Sequence, residues 1–334
     1  DYQVRLFNTE DSDHGGPFIY HFVVLLLGCF PSSLFLILAH KKSATDTPYQ
    51  IHSKRWMMSL FWVVLILFSI VQTKIVHYSS LCYFPLTYLA TYAIQKLFAA
   101  QYNWKKVFHL FFVFISTLLG FAFVLIGCVP IFKPWLLTSD LIADPFAVEN
   151  LKAKVHWSGY EWLIGIVFLG LVHFSLSKIK IGSYKYIYLL FLGSLFSVYS
   201  LIMIVAPKVE QYSQRTAIEF YKQCAKHGFS VESIGFKSYA TLFYGELEPS
   251  FESNQSFKDY LKLHRSEYES QNINVDISYS LIRTNWMRDI QTNKPSCFVA
   301  KILDEEVIKS SSPYLKELYR KNGFIFYIRV FDQK

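Results

Sequence analysis

Six apolar stretches occupy residues 17–39, 56–71, 79–93, 107–129, 162–177 and 187–206, and they limit the possible folds more than any other feature of the sequence. Each is long enough, or nearly so, to cross bilayer hydrocarbon. In lipid the main chain finds no water to bond with, so stretches of this kind are satisfied only as helices. Hydrophobic residues make up 52% of the chain, and they concentrate before Pro207. The expected architecture is therefore a polytopic α-helical membrane protein of about six spans over residues 1–207, followed by a soluble α/β domain over residues 208–334. The first span carries Pro31 ahead of Ser32 and Ser33, which predicts a kink with serine hydroxyls taking up freed carbonyls.

Lys and Arg alternate between the connections. Lys41, Lys42, Lys54 and Arg55 follow the first span, Lys96, Lys105 and Lys106 the third, and Lys178, Lys180 and Lys185 the fifth. Lys74 alone follows the second, and the connection at 131–161 mixes three Lys with four acids. Positive loops stay in the cytoplasm, so the lead before residue 17, the stretch around Lys74, the 131–161 connection and the C-terminal domain fall together on the opposite side. The net charge of +8 thus reports topology, and no nucleic-acid partner is expected. The 131–161 connection, aromatic and mixed in charge, reads as a helix lying on the membrane surface.

In the C-terminal domain, residues 212–227 have helical spacing ending at Gly228, and 256–269 form a polar helix. Residues 231–236, 240–244, 273–282, 297–302 and 324–331 read as strands. Residues 313–321 read as a helix, with Pro near its start and Gly323 beyond its end. The five cysteines have no metal spacing; Cys224 and Cys297 could pair if their domain is extracytoplasmic.

The stretch Gln72-Thr73-Lys74-Ile75-Val76-His77-Tyr78 lies between the second and third spans. A cation there belongs at the membrane–water boundary or in a polar cavity. Lys74, His77 and Tyr78 together suit a phosphate, for which lysine is a point charge. The alternative is an interfacial hairpin with Lys74 snorkelling and Tyr78 in the aromatic belt. On the same predicted face lie Asp11, Asp13 and His14. Carboxylates flanking a histidine could hold a divalent cation at His14 or assist proton transfer, and could equally form a solvated loop.

Two of these segments resemble a known family. Asp13-His14-Gly15-Gly16-Pro17-Phe18-Ile19-Tyr20, followed by residues 25–33 (Leu25-Leu26-Leu27-Gly28 through Pro31), is similar to the H…PF-x-Y…LLLG-x-x-P segment of bacterial polyprenyl-phosphate-sugar glycosyltransferases. That family includes the aminoarabinose transferases and relatives of the protein O-mannosyltransferases. Residues 69–78 resemble its S-x-x-K-x-K-L-P-x-Y segment, with Lys74 at the second Lys, Tyr78 at the Tyr, Gln72 at the first Lys and Ile75-Val76 in place of Leu-Pro. The resemblance covers residues 5–100 best. It implies a C-type glycosyltransferase bundle in the bacterial inner membrane with a periplasmic C-terminal domain. It implies inverting transfer of a sugar from a polyprenyl-phosphate donor to a lipid, glycan or protein acceptor. It places His14 near an active-site cation, Lys74 and Tyr78 near the carrier phosphate, and the base in a loop upstream of Asp1, so that the chain is expected to be a C-terminal portion. Asp11 and Asp13 do not match that base.

Two other classes compete. A transporter or flippase subunit for a lipid-linked or anionic substrate predicts ionisable groups at mid-span, where His109 and His173 stand singly on aromatic faces. A plain membrane anchor leaves the polar clusters on one face without a role.

Overall fold

The computed structural model describes residues 15–179, 183–246, 254–271, 279–290, 295–312 and 314–329. The chain divides into two compact units, Asp1–Cys128 with Gly159–Ile204, and Val129–Ser158 with Val205–Lys334.

The first unit is helical. Among the described residues three helices are long and apolar enough to cross a membrane: Pro48–Ile70, Lys106–Gly127 and Tyr184–Ser213. They become four if Tyr20–Gly28 and Ser32–Ala39, bent by 109° at their junction, count as one broken span. Six were expected, and geometry accounts for the difference. The expected kink at Pro31 is a sharp reversal, across which the Ser33 hydroxyl donates to the Leu26 carbonyl at 2.7 Å, the exchange anticipated for these serines. Tyr83–Phe98 and Leu163–Lys178 have 16 residues each. At 1.5 Å per residue that is about 24 Å, short of a hydrocarbon core of about 30 Å. Pro207 does not end its helix either. A π-helical turn over Leu201–Val205 carries the chain into Ala206–Ser213, and this irregular turn falls directly ahead of Pro207, which has no N–H to continue the ladder.

Local chemistry fixes the start of Pro48–Ile70. Thr47 accepts from the Gln50 amide, the Gln50 side chain reaches back to the Thr47 amide, and Pro48 opens the first turn. One face of this helix buries Phe61, Val64 and Leu65, while Val63, Ile66, Leu67 and Ile70 point outward. Apolar residues on both faces suit a helix with lipid on one side. The core gathers Leu34, Phe35, Leu86, Leu89, Phe112, Phe168 and Leu190. Phe35 sits between Phe112 and Phe191, with ring centroids at 5.2 and 6.3 Å.

The second unit is an α/β layer structure. Four strands, β1 (Ser230–Ile234), β2 (Ser296–Lys301), β3 (Leu315–Lys321) and β4 (Phe324–Arg329), lie in the order β1-β2-β4-β3. β1 and β2 run parallel; the other pairs are antiparallel. β2 is buried on both faces, as its Cys297-Phe298-Val299-Ala300 run requires. Arg215–Lys226 covers one face with Ala217, Ile218, Phe220, Tyr221 and Cys224, the helical spacing read in the sequence. Phe257 and Tyr260 of Gln255–Ser270, with Trp286 and Met287 of Tyr279–Asp289, cover the other. Residues 129–158 belong to this unit, and Phe146 meets the Phe324 ring edge-on at 5.0 Å.

Three secondary-structure expectations fail here. Residues 315–321 are an edge strand, not a helix. Asn322 (φ 50°) and Gly323 (φ 79°) form a tight hairpin with two left-handed residues, the Asn-Gly signal that outranks a helix stop. The edge is kept charged by Arg320, which clamps Glu305 and Glu317 at 2.6–2.8 Å. Residues 240–244 form one helical turn rather than a strand. The expected strand at 273–282 lies outside the described residues as far as 278, and Tyr279–Asp289 is helical. Cys224 and Cys297 meet in the core as free thiols in hydrogen-bonding contact, which together with burial raises the Cys224 pKa.

Candidate functional site

The Gln72–Tyr78 stretch leaves the Pro48–Ile70 helix at Val71 and enters a 3₁₀ turn, Val76–Cys82. Thr73 pairs across to Gly15 in an isolated antiparallel bridge, so the segment before the first apolar helix lies directly against it. The sequence placed these two segments on one face of the membrane; the bridge joins them.

Lys74 is buried at 6% exposure. Its ammonium donates to the Ser69 carbonyl at 2.7 Å and to the Val71 carbonyl, both orphaned by the end of the helix. A cation there also meets the negative end of the helix dipole. Gly16 packs on the lysine stem: a Cβ at residue 16 would lie 2.9 Å from Lys74 Cγ. Burial pushes the Lys74 pKa below the usual lysine value. An ammonium has three donors, of which two are used, and no carboxylate faces it among the described residues.

His21 was not singled out in the sequence. It is fully buried in the first turn of the first helix, with Lys74 as its charged neighbour, and neither ring nitrogen has a hydrogen-bond partner among the described residues. The available signal was its place directly after the Pro17–Tyr20 motif, at the start of an apolar run that does not need a polar ring.

The other predicted residues are placed less centrally. His77 is exposed, with its ring edge-on to Tyr78 at 5.1 Å. Tyr78 is half-buried, its ring 5.4 Å from Phe68. His14, Asp11 and Asp13 lie outside the described residues, and among the described residues no group of three His, Cys, Asp or Glu could hold a metal ion. His173 sits between the hydroxyls of Ser116 and Thr117 at 3.3 and 3.2 Å, and His109 accepts from Trp104 Nε1 at 3.2 Å.

A second buried polar cluster also went unread. Asp46 pairs with Lys96 at 2.6 Å and accepts from the Tyr92 hydroxyl at 2.5 Å. Lys54 lies over the Tyr92 ring at 4.7 Å, and Tyr102 donates to the Lys41 carbonyl at 2.6 Å. This cluster ties the connection after Ser32–Ala39 to the end of Tyr83–Phe98. Burial works against the Asp46 charge, but hydrogen bonds from Lys96 and Tyr92 and the charges of Lys96 and Lys54 outweigh it, so its pKa lies below the ordinary value.

No protein-family model and no curated protein matches the chain. Among solved structures it shares its fold with membrane glycosyltransferases of the C type. The matching structures are of ArnT, the aminoarabinose transferase, from Cupriavidus metallidurans. One is bound to undecaprenyl phosphate (TM-score 0.55, 13% identity, 98% of this chain and 54% of that chain). The other is the apo state (TM-score 0.54, 12% identity, 97% and 54%). The chain thus spans about half the length of the structures it matches, and the likeness is one of fold. It is the family that the two sequence segments resemble.

Proposed function

We propose that this chain is part of an integral membrane glycosyltransferase that moves a sugar from a polyprenyl-phosphate donor to a lipid, glycan or protein acceptor at the outer face of a bacterial inner membrane. The observation that carries the reading is Lys74. A buried cation is costly without an anion, and among the described residues Lys74 meets only two neutral carbonyls, which aim it and leave a donor for a further partner. A carrier phosphate supplies the missing charge. The fold adds support, since ArnT, which shares it, has been solved bound to undecaprenyl phosphate.

In this mechanism the acceptor oxygen attacks the anomeric carbon from the face opposite the carrier. The bond from that carbon to the phosphate oxygen breaks, and inversion follows. The acceptor's proton goes to a base, which the family resemblance assigns to a loop upstream of Asp1. The departing phosphate gains charge as the bond breaks. Lys74 offsets it, and an interaction that grows with that charge lowers the barrier. Tyr78, in the 3₁₀ turn that follows Lys74, is the second donor in this reading, with His77 beside it. A divalent cation at His14 would add charge of the same sign; no step here depends on it. The C-terminal α/β unit then lies in the periplasm, as the Lys and Arg alternation requires.

The test is binding of undecaprenyl phosphate to the purified chain in lipid nanodiscs, followed by native mass spectrometry. Wild type should retain the lipid and Lys74→Met should lose it at least tenfold. Equal retention by the two proteins would remove Lys74 from the carrier site.

A further inference from the structure

The second unit carries an unassigned pair of cavities at one end of its parallel strand pair. In open α/β sheets the carboxyl ends of parallel strands leave a crevice in which ligands bind. β1 ends at Ile234 and β2 at Lys301, and the 235–239 connection leaves the sheet there. One cavity, about 410 Å³, is lined by Lys237, Arg283, Arg288, Ser238, Asn285 and Tyr239 among others. Its neighbour, about 280 Å³, shares Phe236, Lys237 and Ser238 with it and adds Lys301 and Gln214. The larger volume is in the range of small-molecule sites.

The charge is one-sided. Lys237, Arg283, Arg288 and Lys301 face these cavities, and among the described residues Glu232 is the one lining carboxylate. Glu232 and Arg283 are both buried and ion-paired with each other, forming a neutral floor. Arg288 contacts Asp289 at 3.0 Å through Nε, which leaves the far edge of its guanidinium. Lys237 lies 4.9 Å from the Tyr239 ring centre, and Lys301 lies 5.0 and 5.4 Å from those of Phe146 and Phe236. The Asp304 carboxylate packs behind Gly235 and lines neither cavity.

Cations, hydroxyl and amide groups, and aromatic faces at one mouth match one ligand chemistry. A phosphate or carboxylate takes the cations, sugar hydroxyls take Ser238 and Asn285, and the apolar face of a pyranose lies on Tyr239 or Phe236. We infer that this mouth is a binding site for an anionic saccharide, held between Lys237 and Arg288. The site shares no lining residue with the Lys74 stretch, and the proposal stands whether or not the carrier reading holds.

The experiment uses the full chain in nanodiscs and isothermal titration with three probes: glucose 1-phosphate, glucuronate and glucose. Glucose 1-phosphate or glucuronate should bind at least tenfold more tightly than glucose, and more weakly as salt rises. In the Lys237→Gln/Arg288→Gln protein that preference should fall at least tenfold, with undecaprenyl phosphate retention unchanged. Binding of neither anion by the wild-type protein overturns the proposal without any variant. So does glucose binding as tight as that of the anions, or an undiminished preference in the double variant.

Discussion

Replacing Lys74 by Met separates the two tasks its geometry allows. The side chain keeps its length and apolar stem, so the contact with Gly16 survives, while the donors to Ser69 and Val71 vanish. Two buried carbonyls lose a charged donor. Each loss costs about 1–3 kcal/mol in principle, but the variant also avoids burying an ammonium, so the net cost should be about 1–3 kcal/mol for the pair. For the carrier phosphate, loss of a charge-assisted contact worth roughly 1.5–3 kcal/mol predicts about tenfold to a hundredfold weaker binding. Thermal unfolding in detergent reads the first effect and undecaprenyl phosphate titration the second. Lys74→Arg should keep the charge and recover binding in part, because its planar fork cannot reproduce both carbonyl contacts. A lower melting point with unchanged lipid affinity would leave Lys74 as a helix cap alone. Unchanged values of both would refute the reasoning from burial.

The sequence made the second unit's interior more legible than the first unit's path. Helical spacing at Ala217, Phe220, Tyr221 and Cys224 reads directly, because one face of Arg215–Lys226 meets a sheet and the other meets water. In the first unit that contrast is missing: an apolar run looks the same whether it crosses, bends or stops short. The reversal at Pro31 is thus visible as a kink but not as 109°. Lys74 stood out as a cation between apolar runs, whereas its burial depends on Gly16 and the bridge from Gly15 to Thr73, contacts far apart in sequence. Asp46 looked like an ordinary loop acid. Its partners Tyr92 and Lys96 lie 46 and 50 residues on, a distance no local pattern spans.

Three further substitutions probe the fold and the site. Gly16→Val puts a Cβ 2.9 Å from Lys74 Cγ and must displace that stem, so carrier binding should weaken as in Lys74→Met; normal titration would show that the lysine's position does not matter. Gly323→Val forces a β-branched residue to φ 79° against the Phe146 ring, and should destabilise the second unit by about 1–2 kcal/mol or more, read as its urea midpoint. Asp46→Asn tests the buried cluster through pH. The Asp46 pKa is lower in the folded chain than its ordinary value of 3.8, so its contribution is present above pH 3.8 and is lost as pH falls through the folded value. The unfolded chain takes up the proton first, which is why stability declines on acidification. Wild type should therefore lose more melting temperature than Asp46→Asn between pH 5 and about pH 3. The variant should start lower at pH 7, because Lys96 is left buried beside a neutral amide. Parallel melting curves for the two proteins across that window would mean that the ion pair adds nothing to the fold, and that Tyr92 and Tyr102 hold the connection by themselves.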